Sequence, residues 1–195
     1  MRVVLASRNE GKLRELTPIL APLGLSLESQ AAHDVPSPPE TGTTFVENAI
    51  IKARAVTAAT ALPALADDSG IVVPALDGAP GVYSARYAGP DATDADNNAK
   101  LIAAIDEFAA PVSAYYYCAI VYLRSAADPS PLIATAAWYG ELIKTPRGSN
   151  GFGYDPYFIP AGYTLTSAEL APEDKNQISH RALACLDLIE QLNAE

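Results

Sequence analysis

Residues 2–12 read RVVLASRNEGK, an apolar run that passes directly into a polar loop. The run at 2–6 is typical of a buried strand, because strands covered on both faces carry consecutive apolar residues. Leucine and isoleucine then recur at helical spacing up to Leu23, and Gly24 follows where a helix-ending glycine belongs. The chain therefore opens as strand, loop and helix, and ligands of such units usually bind at the loop.

The rest of the chain alternates predicted strands and helices. A capping box at Thr44–Glu47 begins an Ala-rich helix to about Thr60, and Thr93 or Asp94 begins another that is expected to reach Phe108. We also predict strands at 25–28, 71–75, 113–124 and 132–143, a strand at 65–70 that ends in a polar turn, and a last helix at 178–192. The pattern indicates one α/β domain with mixed strands over residues 1–195.

Composition and charge exclude several classes of protein. Of the 195 residues, 49% are hydrophobic and 18% are charged, which are globular proportions. The net charge is −10 and no run rich in Lys or Arg is present, so a general nucleic-acid binder is disfavoured. The N-terminal apolar run is too short for a signal peptide or membrane span, and a cytoplasmic location is expected. Cys118 and Cys185 lack zinc-site spacing and are expected to be buried.

The polar loop after the first strand is a candidate phosphate site. Backbone amides at a helix start and the positive end of the helix attract anions, and Lys12 adds a point charge. Ser7, Asn9 and Lys12 could all donate to phosphate oxygens. The pattern is not a Walker A loop. A capped helix start with a solvated lysine remains the alternative for this segment.

Three carboxylates are candidates for metal binding or proton transfer. Asp67 and Asp68 follow an apolar strand, where side chains alternate, so only one of them should face a given site. Mg²⁺ takes oxygen ligands, and a carboxylate can also accept a proton from water. An Asx-type turn before Gly70 is the alternative. Glu40 has no evident structural task and is preferred as a ligand over Glu47, which has a capping role.

Two segments near the C-terminus could bind a flat ring. In GFGYDP at 151–156, glycines beside aromatics let the backbone approach a ligand, Phe152 could stack on a base, and Asp155 could accept a hydrogen bond. Lys175, His180 and Arg181 offer donors for a carbonyl or phosphate. A strand-entry turn and exposed helix residues are the respective alternatives.

Taken in chain order, these segments resemble the inosine-triphosphate pyrophosphatase family, whose members hydrolyse non-standard purine nucleoside triphosphates. The matching stretches are 7–12, 40–42, 45–49, 66–70, 78–87, 151–156 and 179–182. They span nearly the whole chain, and the combination is specific although no single motif is. One departure is Pro39 before Glu40, where such proteins often carry two acids.

The resemblance implies a fold and a set of roles. The fold would be α/β, with a long curved mixed sheet flanked by helices and two lobes with a cleft between them. Asp68 would be the proton acceptor and a Mg²⁺ ligand, with Glu40 as second ligand or only water and phosphate in its place. The substrate would be held by Ser7, Arg8, Asn9, Glu10, Gly11, Lys12, Ser69, Phe152, Gly153, Tyr154, Asp155, Lys175, His180 and Arg181. The protein would be a cytoplasmic homodimer that binds neither nucleic acid nor membrane.

The expected reaction is in-line attack of water on the α-phosphorus with pyrophosphate leaving, and Asp68 taking the proton. Hypoxanthine and xanthine present a 6-oxo acceptor and an N1 hydrogen, whereas adenine presents the reverse. Donors such as Arg181 and loop amides suit the first pattern. A Maf-like pyrophosphatase of modified nucleotides and a non-catalytic nucleotide-binding module are the two alternatives.

Overall fold

The computed structural model describes residues 1–194, and Glu195 lies outside them. The strands are β1 (Arg2–Leu5), β2 (Ser26–Ser29), β3 (Ala64–Val72), β4 (Val112–Leu123), β5 (Leu132–Leu142) and β6 (Phe158–Pro160). The helices are α1 (Glu10–Leu20), α2 (Phe45–Thr60), α3 (Asp94–Ala104), α4 (Pro172–Ile178) and α5 (His180–Asn193). Together they form the predicted α/β fold.

The strands form one six-stranded sheet in the order β2-β1-β3-β4-β5-β6. β1 pairs in parallel with both β2 and β3, with Val4 opposite Ala64 in the second pair, whereas β5 and β6 are antiparallel. The sheet is therefore mixed, as the sequence predicted. Among residues 1–194, no helix is both long and apolar enough to cross a membrane.

The chain divides into two compact units, as the predicted two lobes require. The first contains residues 1–68, 118–136 and the segment from 181 onward, and the second contains 69–117 and 137–180. Strands β3, β4 and β5 each contribute residues to both units. The assignment of the whole chain to a single domain stays a prediction.

The core of the first unit lies on both faces of β1. Because side chains alternate along a strand, Val3 and Leu5 point to one face and Val4 to the other. Val3 and Leu5 pack in a cluster that contains Leu16, Leu20, Leu65, Ile120 and Leu188. Val4 packs in a separate cluster that contains Ala49, Ala53, Val56, Ala66 and Val121. The apolar run at the start of the chain is thus the buried strand that its composition predicted.

The core of the second unit is rich in aromatic residues. It contains Ile71, Leu101, Ile105, Tyr116, Trp138, Leu142, Tyr154 and Phe158. Tyr116 packs edge-on against Phe158 at 4.9 Å between ring centroids. This core supports helix α3 and the loop from 148 to 155.

The predicted capping box is confirmed at the start of α2. The Thr44 hydroxyl accepts from the Glu47 amide at 3.2 Å, and a Glu47 carboxylate oxygen accepts from the Thr44 amide at 2.9 Å. Gly42 lies so close that a Cβ there would be 2.6 Å from the Glu47 Cβ. The carboxylate of Glu47 is therefore committed to the helix start, as its capping role implied.

Three predicted boundaries were wrong. β3 runs unbroken through Asp67 and Gly70 to Val72, because the two aspartates meet cations on opposite faces and no turn is needed. Helix α3 ends at Ala104, and a turn closed by the amide of Phe108 donating to Ile105 follows it. The last predicted helix, 178–192, begins at His180 instead, because Ser179 is extended with ψ of 158°, and the short helix α4 before it was not predicted.

Candidate functional site

The two aspartates of β3 lie on opposite faces of the strand and meet different cations. Asp67 is fully buried and Asp68 is 7% exposed. Asp67 pairs with Lys12 and Arg181, whereas Asp68 pairs with Lys52. The two carboxylates therefore have different partners, as the alternation of side chains along a strand predicts.

Asp67 is the centre of a buried ion-pair cluster. One of its carboxylate oxygens accepts from Lys12 Nζ, and the other accepts from Arg181 Nε at 2.7 Å and from the Cys118 thiol at 3.3 Å. Arg181 also pairs with Glu15 through Nη1. Burial alone would raise the pKa of Asp67, but Arg181 and Lys12 together hold that pKa well below its ordinary value. Asp67 therefore stays ionised and fixes both cations.

Asp68 has one carboxylate oxygen paired and one open. Its Oδ1 accepts from Lys52 Nζ at 2.6 Å, while its buried Oδ2 has no hydrogen-bond partner among the described residues. Burial raises the pKa of Asp68, and the charge of Lys52 opposes that rise without cancelling it. An open carboxylate oxygen with a raised pKa suits a group that takes a proton from water or binds a cation.

Lys52 joins the candidate carboxylates and was not predicted as a site residue. Its Nζ lies 2.6 Å from Asp68, 3.1 Å from Glu40 and 2.9 Å from the backbone oxygen of Asp67. Burial lowers the pKa of Lys52, but Asp68 and Glu40 outweigh it and the net shift is upward. Its position was readable from the sequence, because Lys52 shares the buried face of α2 with Ala49 and Val56 and so needs a partner.

The loop from 7 to 12 begins helix α1. The Asn9 side chain accepts from the amides of Gly11 at 2.8 Å and Lys12 at 3.2 Å, and the Ser7 hydroxyl accepts from the Asn9 amide at 3.1 Å. Arg8 donates to the backbone oxygen of Val35 at 3.1 Å. This is the capped helix start that the sequence left open, but Lys12 is paired with Asp67 instead of being solvated.

In the second unit, Asp155 organises the glycine-rich loop. Its Oδ2 accepts from Lys175 Nζ at 2.7 Å and from the Phe152 amide at 3.0 Å. Its Oδ1 accepts from the hydroxyls of Ser167 at 2.9 Å and Tyr116 at 3.3 Å. With four donors already on its oxygens, Asp155 holds the loop in shape, and the suggested hydrogen bond to a base is not favoured.

The same loop carries a partly exposed aromatic ring. Phe152 is 37% exposed, and Lys175 Nζ lies 5.3 Å from its ring centroid. Gly151 is required beside it, because φ is +77° and a Cβ would lie 2.0 Å from an Asp155 oxygen. Phe152, suggested for stacking on a base, and Lys175, suggested as a donor to a carbonyl or phosphate, therefore lie side by side, and their roles stay predictions.

The remaining predicted residues have identifiable positions. His180 is buried and stacks on Tyr116 at 4.8 Å between ring centroids. The Tyr154 hydroxyl donates to the backbone oxygen of Ser84 at 2.7 Å, so this residue serves the core. Ser69 lies half-buried in β3, and Glu10 is the exposed first residue of α1. Arg181 is 2% exposed, and its pairing with Asp67 and Glu15 gives it a structural task that the sequence did not reveal.

The residues fit a divalent cation of the type that the resemblance implies. Within residues 1–194, no three His, Cys, Asp or Glu side chains are arranged to hold a metal ion by themselves. Mg²⁺ usually keeps several waters and is bound by one or two carboxylates together with substrate phosphates. Asp68 and Glu40 lie within hydrogen-bond reach of one ammonium group, and Asp68 has the open oxygen. This donor set matches that mode of binding.

Comparison with known proteins decides the family. The model of the Ham1 family matches residues 3–191. The chain belongs to the Ham1 family. This confirms the resemblance that the sequence motifs indicated.

Relatives of this Ham1-family chain extend over its whole length. A protein of Xanthomonas axonopodis pv. citri named dITP/XTP pyrophosphatase is 53% identical, with 99% of this chain and 98% of the relative covered. One of Ralstonia nicotianae with the same name is 51% identical, covering 98% and 96%. The solved structure of a HAM1 protein from Coxiella burnetii has a TM-score of 0.92 and 46% identity, with 100% of both chains covered. The Ham1 fold predicted from the motifs is thereby confirmed.

Proposed function

We propose that this Ham1-family chain hydrolyses non-standard purine nucleoside triphosphates, namely dITP, XTP and ITP, to the nucleoside monophosphate and pyrophosphate. The observation that carries the proposal is the open oxygen of buried Asp68 next to Lys52, in a chain 51–53% identical to proteins named dITP/XTP pyrophosphatase. A carboxylate of this kind is what water activation requires.

The residues proposed to bind the triphosphate are Lys12 and Lys52. Lys12 Nζ and Lys52 Nζ lie 3.3 Å and 2.9 Å from the same backbone oxygen of Asp67, so two ammonium groups converge there. Each is oriented by a carboxylate, Lys12 by Asp67 and Lys52 by Asp68. Phosphoryl transfer depends mainly on such positioning and on charge stabilisation. The two lysines would bind phosphate oxygens and stabilise the charge that develops on pyrophosphate as it leaves.

Asp68 would take the proton of the attacking water. Its Oδ2 is the open acceptor, and Lys52 on Oδ1 fixes the orientation of the carboxylate. The oxygen of water forms the new bond to the α-phosphorus, and the bond from that phosphorus to the pyrophosphate oxygen breaks. Neither step needs a covalent nucleophile.

Magnesium belongs to this proposal as a cofactor. Asp68 and Glu40 would hold it, and when bound it would neutralise phosphate charge and orient the triphosphate. Lys52 holds both carboxylates in place, at 2.6 Å and 3.1 Å.

The residues proposed to bind the base are Phe152 and Lys175. Phe152 would stack on the purine, which contributes about 1–3 kcal/mol per base in comparable stacks. Lys175 Nζ, which lies 5.3 Å from the centroid of the Phe152 ring, would donate to a 6-oxo group. With adenine, the donors of the site would face an amino group and be left unpaired.

The groups proposed for the base should make the enzyme select 6-oxo purines over adenine. We expect kcat/KM for dITP and XTP to exceed that for dATP by about 10²–10⁴-fold, because unpaired donors reject adenine. The measurement is release of pyrophosphate and monophosphate across a panel that includes dATP, dGTP and methylated pyrimidine triphosphates. Carried out in H₂¹⁸O, the reaction should place the label in the monophosphate. A preference for the pyrimidines would favour the Maf-like alternative, and binding without pyrophosphate release would favour the non-catalytic module.

The proposed metal site should make activity depend on Mg²⁺. We expect activity to vanish with a chelator and to return with Mg²⁺, and Glu40→Gln to raise the half-saturating Mg²⁺ concentration by about tenfold or more, because a carboxylate ligand is lost. Glu47→Gln is the matched control, since this nearby acid serves the capping box. An unchanged Mg²⁺ requirement in Glu40→Gln would leave Asp68, water and phosphate as the ligands.

The homodimer, the cytoplasmic location and the absence of nucleic-acid and membrane partners stay predictions. Sedimentation equilibrium of the purified protein measures the first of them directly.

A further inference from the structure

The backbone of Gly153 is held on both sides by helix α3. The Gly153 amide donates to Asp94 Oδ2 at 2.7 Å, and the Gly153 carbonyl accepts from Asn98 Nδ2 at 2.8 Å. Residues four positions apart on a helix lie on the same face, so both hydrogen bonds to Gly153 come from one face of α3. We call Asp94 and Asn98 the α3 clamp.

Helix α3, which carries the clamp residues, is capped at its start and packed into the core at its other end. Thr93 caps α3, and Asp96 completes a capping box with it. Leu101 and Ile105 anchor the other end in the core of the second unit. Asn98 is only 8% exposed, so its side chain is held where its amide meets the loop.

The clamp acts on the residue next to Phe152. The Phe152 amide is held by Asp155 at 3.0 Å, and the following residue, Gly153, is held by the clamp. Gly153 has φ of +61°, a conformation that a glycine adopts without steric cost but does not keep by itself. A cavity of about 430 Å³ adjoins the loop and is lined by Phe152 and both clamp residues. The backbone is therefore fixed on both sides of a ring that is itself exposed.

We propose that Asp94 and Asn98 are positioning residues for base recognition, which fix the Phe152 loop before the nucleotide arrives. The inference rests on the proposed function, because it assumes that Phe152 stacks on the purine. A loop that is already ordered loses less conformational freedom on binding, so the clamp lowers the cost of nucleotide binding. Because the clamp residues hold the loop proposed for the base and not the groups proposed for the phosphates, their loss should affect KM and not kcat.

The chain offers a matched control in the neighbouring Asn97. Asn97 is also buried, and its side chain accepts from the Ala88 amide at 2.8 Å and donates to the Ala85 carbonyl at 3.2 Å. It therefore holds a different backbone segment from the same helical turn. Replacing either asparagine removes hydrogen bonds of similar kind from α3, and only Asn98 contacts the Phe152 loop.

The kinetic test compares the two asparagines. Asn98→Ala should raise KM for dITP by about threefold to tenfold, the effect of one lost hydrogen bond, with kcat little changed. Asn97→Ala should leave KM unchanged even where it lowers the melting temperature equally. Asp94→Ala should behave like Asn98→Ala, and Asp94→Asn should rescue KM because it keeps an acceptor oxygen. Equal rises of KM in Asn97→Ala and Asn98→Ala would overturn the proposal.

A second readout does not depend on activity. Hydrogen–deuterium exchange of nucleotide-free protein should quicken at residues 151–154 in Asn98→Ala and at 85–88 in Asn97→Ala. Unchanged exchange at 151–154 in Asn98→Ala would overturn the clamp even if the enzyme hydrolyses dITP. If the wild type fails to hydrolyse dITP, the proposed function is lost, and the exchange experiment still decides whether the clamp orders the loop.

Discussion

Asp68→Asn should lower kcat for dITP hydrolysis by about 10²–10⁴-fold, the range that a general base contributes. At saturating Mg²⁺, the affinity for dITP should change little, because the lysines that bind phosphate remain. The amide keeps the shape of the carboxylate and can still accept from Lys52 through its oxygen, so the fold should persist. What is lost is the basic oxygen that has no hydrogen-bond partner within residues 1–194.

The pH dependence of kcat/KM should also report on the Asp68 carboxylate. Burial raises the pKa of Asp68, so the basic form disappears at a higher pH than for an ordinary aspartate. In the wild type, kcat/KM should fall as the pH drops through that raised pKa. The residual activity of Asp68→Asn should lack this acidic limb.

Measurement requires turnover and binding to be separated. Pyrophosphate release gives kcat, and calorimetric titration of dITP into the slow variant gives the affinity. Asp128→Asn is the matched control. Asp128 accepts hydrogen bonds from the backbone amides of Arg124 and Ser130 in the turn after β4, so its role is structural. Turnover close to wild type in Asp68→Asn would remove Asp68 from the role of proton acceptor.

The fold was predictable where local chemistry decides it. The apolar run of β1, the helical spacing of Leu16 and Leu20, and the capping box at Thr44 each identify their own element. β3 was misread because a pair of acids in a strand resembles a turn until the cations that meet them are known. Helix α4 was not predicted, because its seven residues are too few to show a helical period.

Candidate site residues could be chosen from the sequence, but the partners that the structure gives them could not be predicted. Arg181 and Asp67 are 114 positions apart, and no local pattern joins them. Arg181 was expected to donate to a base, whereas it lies in a buried ion pair, and Asp155 was expected to accept from a base, whereas Lys175 and three other donors use its oxygens. The α3 clamp was missed because Asn98 contacts a loop 55 positions away.

Asp67→Ala should lower the free energy of unfolding by about 3–5 kcal/mol, the usual cost of removing one partner from a buried ion pair. Arg181 would be left 2% exposed without the carboxylate that accepts from its Nε, and Lys12 would lose the same carboxylate. Urea denaturation measures the change. The surface pair of Lys144 with Asp106 is the control, because Asp106 is 79% exposed and Asp106→Ala should cost less than about 1 kcal/mol.

The stability difference between wild type and Asp67→Ala should depend on pH in a defined direction. Because the folded pKa of Asp67 is depressed, its contribution is complete above the ordinary carboxyl pKa of about 4 and is lost as the pH falls through the folded value. The difference in the free energy of unfolding between the wild type and Asp67→Ala should therefore become smaller at acidic pH. The double variant Asp67→Leu with Arg181→Met should be more stable than the sum of the two single changes predicts, since no charge of that pair is left buried. Additive losses would mean that Asp67 and Arg181 contribute to stability independently and not as a pair.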